Sequence, residues 1–308
     1  MSGALEALVA AELAEPVDPR VTAMAAAIAA KYPGAARAVL FYGSCLRTAN
    51  LDGLMLDFYL IVSSYRAAYG RSWLARANRL VPPNVFPFEH DGLAAKYAVL
   101  SEADFQRLNG PGTLSVSVWA RFAQPSRLAW RADGAAERRC VAAIARAAPT
   151  LLAAAWPMEE SAPGDQLHLW RRAFALTYSA ELRAERQVRA ASVVDAEPDR
   201  YRRFTAPAAL AAGIGTVENG AFALRPATKI ERARAGRAWA KRRRAGKALS
   251  VVRLAKASAT FAGGVDYLAW KINRHAGTDI RLTGWQRRWP LLAAVTLLPR
   301  LLKRGAIR

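Results

Sequence analysis

The stretch Phe41 to Val62, FYGSCLRTANLDGLMLDFYLIV, decides how this chain folds. It opens at the end of Arg37 to Tyr42, an apolar and aromatic run short enough to be a buried strand. Gly43-Ser44 stops that strand and a loop follows. Met55 to Val62, MLDFYLIV, then forms a second strand that is apolar apart from Asp57. A lone carboxylate inside such a strand is costly to bury without a cation or a donor. At a sheet edge facing a ligand it is tolerable, because a divalent cation would hold it ionised. Gly43 lets the backbone approach a phosphate, and the Ser44 hydroxyl and amide can donate to phosphate oxygens. The same residues also fit a plain tight turn with an Asp satisfied by backbone donors.

Working outward, Pro16, Asp18 and Pro19 separate a first helix from a second at about 20–32. After the Asp57 strand the pattern predicts a helix over about 66–79. The segment VPPNVFPFEHD then makes an irregular entry into a third strand near 84–89. Ala94 to Leu100 reads as a fourth strand, with Asp91-Gly92 as the hairpin signal between them. From about 133 the chain is mostly helical, over 135–155, 165–190, 198–212 and several pieces after 228. Gly213, Gly215 and Asn219-Gly220 mark a loop or small hairpin. The expectation is a mixed α/β head over 1–130, a helical body over 131–224 and a basic helical tail over 225–308.

Composition bounds the function. A chain of 308 residues, 53% apolar, can bury a sizeable core and is no small stapled scaffold. With 20 Gly and 16 Pro it is neither disordered nor fibrous. Cys45 and Cys140 make no disulfide framework or Cys-rich zinc site, and His90, His168 and His275 lack metal-ligand spacing. No nucleophile constellation stands out. No run reaches the ~18–20 apolar residues of a membrane span, since Pro290, Pro299 and Arg300 interrupt the longest candidate. The first helix carries Glu6, Glu12 and Glu15 before any basic residue, unlike a secretory or transit peptide, so a cytosolic chain is expected.

Charge is unevenly spread. The net charge is +21, yet residues 1–224 hold 24 basic and 21 acidic side chains. Residues 225–308 hold 21 basic and 3 acidic ones, a net +18, which implies a polyanionic partner for that quarter.

The Gly-Ser turn followed by an acid-bearing strand resembles the nucleotidyltransferase superfamily, where Gly-Ser grips a triphosphate and strand carboxylates hold Mg²⁺. That superfamily usually has a second acid two residues on, where this chain has Tyr59. Asp52 in the loop and Glu89 at the end of the third strand are candidate replacements. Glu89 is the better placed, if a neighbouring strand brings it across. Further pieces follow in order: Lys96-Tyr97 in AAKYAVLS, Asp104-Phe105, WARFAQP from Trp119 to Pro125, and LTYSAELRAE from Leu176 to Glu185. Together, over about 39–190, they resemble the phosphatidate cytidylyltransferase of the mitochondrial translocator assembly and maintenance family. That family shows a YGSG-like turn, an MLDF strand, an IKYGVI strand, a W…GR…KP segment and an SYxGDxR helix. This chain departs from it at Cys45, Gln124 and Ala180-Glu181.

The resemblance implies transfer of CMP from CTP to phosphatidate, with release of pyrophosphate and formation of CDP-diacylglycerol for phospholipid synthesis. It implies Mg²⁺ on Asp57 with Glu89 or Glu181, and Gly43, Ser44, Lys96, Arg121 and Arg183 around the nucleotide and acceptor phosphates.

The basic tail fits that reading. Lys241, Arg242, Arg243 and Arg244 lead into apolar positions at helical spacing (Val265, Leu268, Ala269, Ile272). Trp285, Trp289 and a run of leucines then end at Lys303 and Arg304. Apolar and basic residues interleaved over a length too short to span describe a helix lying on anionic lipid. The expected location is therefore peripheral, on the cytoplasmic face of a bacterial inner membrane. Two other readings stay open: a nucleotidyltransferase acting on RNA, where +18 would grip phosphates, and a non-catalytic membrane-bound assembly factor, favoured by Tyr59. Nucleic acid is the less favoured polyanion, because it does not require the tail's leucines and tryptophans.

Overall fold

In the computed structural model, which describes residues 2–48, 51, 53–159, 166–181, 188–218, 221–260 and 283–284, the two apolar runs pair as antiparallel strands. These are β1 (Ala36–Tyr42) and β2 (Met55–Val62), with Tyr42 opposite Asp57. On the other side of β2 lies β4 (Leu93–Ser101), parallel to it, with Asp57 level with Lys96. The strand β3 (Asn84–His90) closes that edge antiparallel to β4, and β5 (Ser126–Arg131) closes the other edge against β1. The order is β3-β4-β2-β1-β5. Asp91 and Gly92 both take positive φ, +47° and +73°, which suits a tight turn between twisted strands.

The head differs from the sequence pattern in two details. The predicted helix over 66–79 is two short helices, α4 (Tyr65–Tyr69) and α5 (Trp73–Leu80), because Gly70 at φ +64° caps the first. The strand β5 was not anticipated: SRLAWR is short and carries Arg127 and Arg131 at an exposed sheet edge, so its hydrophobic signal is weak.

Side chains alternate across the sheet and build two cores. One face (Val39, Phe41, Leu56, Phe58, Leu60, Tyr97, Val99) packs under α2 (Pro19–Ala30) through Met24 and Ile28. The other (Leu40, Tyr42, Tyr59, Ile61, Ala98, Leu100) joins a larger core with the helical body. That body comprises α1 (Ser2–Ala14), α6 (Glu102–Leu108), α7 (Trp119–Phe122), α8 (Gly134–Ile144), α9 (Ala147–Ala155), α10 (Gln166–Ser179), α11 (Val188–Asp195) and α12 (Pro198–Ala211). The core runs unbroken from Leu5 to Trp239, so the borders expected at 130 and 224 fall inside it. Among the described residues, one run, Gly134–Met158, is long and apolar enough to cross a membrane, and 67% of its most apolar 18-residue stretch is buried in the protein.

A buried ion pair ties this body to the sheet. Arg200 of α12 donates to both carboxylate oxygens of Glu12 on α1 and, at 3.0 Å, to the carbonyl of Ala123, which follows α7. Removing one partner of such a pair typically costs ~3–5 kcal/mol, so it holds the end of α7 firmly in place. After the hairpin of β6 (Gly215–Glu218) and β7 (Ala221–Leu224), the chain forms one long helix, α13 (Lys229–Thr260). Its Trp239 is fully buried, with Nε1 donating to the Ala154 carbonyl at 2.8 Å.

Candidate functional site

The end of β1, the start of β2 and the start of β4 meet at one end of the sheet, on the face that packs under the helical body. Gly43 turns the chain there at φ +97°, a conformation that disfavours any residue with a Cβ. A Cβ on Gly43 would also lie 2.9 Å from Asp57 Oδ2. The Gly-Ser turn therefore passes directly over the Asp57 carboxylate, with Ser44 exposed at the start of α3 (Ser44–Thr48).

Asp57 and Lys96 face each other across the parallel pair. Lys96 Nζ lies 3.0 Å from Asp57 Oδ1, with the two side chains 28% and 19% exposed. The contact is an ion pair without an aligned hydrogen bond, since Oδ1 is buried and accepts none. Such a carboxylate oxygen has spare capacity for a cation.

Arg121 comes from α7. Its guanidinium sits 4.7 Å above the Tyr42 ring. Burial works against its charge, but Tyr42, Tyr59, Asp57 and Glu181 around it outweigh that and hold it above the ordinary arginine range. Among the described residues it makes no hydrogen bond or ion pair, and its Nε is buried without an acceptor. A half-buried guanidinium in that state has donors to offer an anion.

Glu181 follows the end of α10, half-buried and within electrostatic reach of Arg121. The structure thus gathers Gly43, Ser44, Asp57, Lys96, Arg121 and Glu181. It does not gather Glu89. The expectation that a neighbouring strand carries Glu89 to Asp57 is corrected, because β4 lies between β3 and β2. Glu89 pairs with Ala94 on the outer strand and is exposed, two strand spacings of ~4.8 Å away from Asp57. Arg183 and Asp52 lie outside the described residues, as do Trp285, Trp289, Lys303 and Arg304 of the expected membrane-binding tail.

Tyr59, where a second acid would stand, is 4% exposed and packs on Tyr42 and Phe122 at ring distances of 5.3 and 5.2 Å. It belongs to the core and leaves no room for a carboxylate pair on β2. Among the described residues no three His, Cys, Asp or Glu side chains converge on a metal position. Asp57 still fits a magnesium ion, which one or two carboxylates commonly hold: its Oδ1 accepts no hydrogen bond and its Oδ2 lies under Gly43. Sequence reasoning missed Tyr42 as the platform for Arg121. An aromatic residue immediately before Gly-Ser was the available signal.

In α13, Lys241 and Arg244 are exposed whereas Arg242 and Arg243 are half-buried, so the KRRR cluster does not present one uniform surface.

No family model matches the chain, and no curated protein matches it. Among solved structures it is similar to a nucleotidyltransferase-like protein from Exiguobacterium sibiricum. That likeness covers 92% of this chain and 91% of that one, at 11% identity and a TM-score of 0.27. A likeness so distant carries no argument.

Proposed function

We propose that this protein is a nucleotidyltransferase, and that its reaction is transfer of CMP from CTP to phosphatidate. The observation that carries the nucleotidyl reading is Arg121: a half-buried guanidinium without a hydrogen-bond partner among the described residues, over Tyr42 beside the Gly-Ser turn and within electrostatic reach of Asp57. Phosphoryl chemistry asks little more of a protein than positioning and charge neutralisation. Gly43 and Ser44 would cradle the triphosphate, Arg121 would neutralise its oxygens, and Lys96 would hold Asp57 in place or turn to a phosphate. Asp57, with Glu181, would hold Mg²⁺, whose contribution when bound is to neutralise triphosphate charge. In the reaction a phosphatidate oxygen bonds to the α-phosphorus and the bond to pyrophosphate breaks. The choice of CTP and phosphatidate rests on the sequence resemblance. The membrane reading rests on the +18 of residues 225–308 and on the exposed Arg234, Arg237, Lys241 and Arg244 of α13.

A second reading is favoured by Tyr59 and by the Asp57–Lys96 pair: a nucleotide-binding, non-catalytic member of the fold. Incubation of the full chain with α-labelled CTP, Mg²⁺ and phosphatidate vesicles separates the two. Label in the lipid phase supports transfer. CTP binding without label in lipid or in any added RNA would leave the non-catalytic reading.

A further inference from the structure

The helix α13 has an inner seam. Trp239, Arg242, Gly246, Leu249, Arg253 and Lys256 recur at alternating steps of three and four, which places them on one face of a helix. That face is turned to the protein. Trp239 is fully buried, and a Cβ on Gly246 would stand 2.0 Å from the Ala180 carbonyl, so the helix backbone rests on the chain next to Glu181. The seam therefore adjoins the site that holds Asp57, Arg121 and Glu181.

Three cations on an inward face need acceptors. Arg253 has them, donating to the Pro82 carbonyl at 3.1 Å and to Ser117 and Ser115 Oγ at 2.9 and 3.1 Å. Lys256 donates to the carbonyls of Val81 and Pro83. Arg242 has none among the described residues. Its guanidinium lies 5.2 Å over the Trp239 ring, and its Nε is buried without a partner. Trp119 also packs on Trp239, edge-on at 6.4 Å, and its Nε1 is buried and unsatisfied. Two unsatisfied donors thus adjoin one indole. Burial pulls Arg242 below the ordinary arginine range, with no carboxylate among the described residues to restore it. A charge left in that condition destabilises the ligand-free fold unless an anion completes it.

We propose that Arg242, with Trp119 beside it, forms a second phosphate-binding site, distinct from the Gly43-Ser44 cradle and open to the phosphomonoester of the acceptor. This assignment rests on the nucleotidyl-transfer reading for its substrate. It removes Arg242 from the lipid-facing set and leaves Lys241 and Arg244 on the outside.

The test uses the full chain, two soluble probes and three variants. Dihexanoyl phosphatidate and CTP are titrated separately by calorimetry, and ligand-free melting is recorded. In Arg242→Met the unpaired charge is gone, so the melting temperature of the ligand-free protein is expected to hold or rise. Affinity for dihexanoyl phosphatidate should fall ~10-fold or more, the scale of a lost charge-assisted hydrogen bond, with CTP affinity within about twofold of wild type. Arg242→Lys, which keeps the charge and loses the planar fork, should show the same order with a smaller loss. A loss that falls on CTP instead would overturn this assignment, because Arg242 would then belong to the nucleotide site. Unchanged affinity for both probes in both variants would overturn the proposal and make Arg242 structural. Arg121→Met keeps the two readings apart, since it should lose CTP and retain dihexanoyl phosphatidate. A wild-type chain that ignores CTP would end the nucleotidyl reading, while the Arg242 site would still be judged on the phosphatidate titration.

Discussion

The two faces of the sheet come from the same strands, one residue out of step, and they have opposite chemistry. Under α2, Phe41, Phe58, Leu60, Tyr97 and Val99 are all apolar or self-satisfied, and the Tyr97 hydroxyl pairs with Tyr32 at 3.1 Å. On the other face, Tyr42, Asp57 and Lys96 stand at the same level of the sheet, under Arg121, with charges that protein groups only partly satisfy. The first face has the composition stability requires. The second departs from it at the strand ends alone, and deeper in the same face Leu40, Ile61 and Leu100 are apolar again. An unsatisfied carboxylate oxygen on Asp57 and an unsatisfied guanidinium nitrogen on Arg121 meet at that end, an arrangement that suits a ligand.

Adjacent substitutions break that comparison most sharply. Phe58→Ala, on the apolar face, should cost ~3–5 kcal/mol of stability and much of the folded protein. Asp57→Asn, one residue away, should leave the melting temperature nearly unchanged while nucleotidyl transfer falls by ~10³-fold or more, the loss expected when a preorganised charge is removed. Parallel urea titration and turnover measurements on the two variants check it. Near-normal transfer by Asp57→Asn would take this carboxylate out of the mechanism.

A finer contrast lies between two glycines of positive φ. Gly34 at +71° has nothing near its missing side chain, whereas at Gly43 the Cβ would press on the Asp57 carboxylate. Both Gly34→Ala and Gly43→Ala should lose ~1–2 kcal/mol to backbone strain. Only the second should also weaken CTP binding, read by titration against the same melting data. Equal CTP affinity in both would reduce the turn to a backbone device.

The smallest expected effect concerns pH and the far end of α13. Burial, with the Arg253 charge adding, pushes Lys256 down to about 7. Above that value the folded chain has released a proton that the unfolded chain keeps up to ~10.4, so unfolded protein binds more protons across this window. The contribution of Lys256 to stability therefore rises with pH between these limits and is least at or below pH 7. Denaturant midpoints at pH 7 and 9.5 should show a shallower rise in Lys256→Met than in the wild type. Identical slopes would place the Lys256 amine in a solvated setting.

What could be read from the chain follows from how local each signal is. Strands β1 and β2, the Gly-Ser break and the isolated Asp57 declare themselves because apolar runs, a glycine needed at a turn and a carboxylate out of context are all properties of neighbours in sequence. β5 escaped because an edge strand with two arginines buries too little to leave a pattern. The remaining decisions are long-range. Strand order put β4 between Glu89 and Asp57, and nothing local to either residue encodes which strand is next to which. Likewise, four consecutive basic residues at 241–244 look alike as text. The contact of Trp239 and Gly246 with the body decides that Lys241 and Arg244 face solvent while Arg242 turns inward, since a helix rotates each residue by ~100° and only packing sets its phase. Sequence alone thus determined the strands and the chemistry they carry. The tertiary structure decided which charges meet, because burial and pairing depend on contacts across the fold that no local spacing contains.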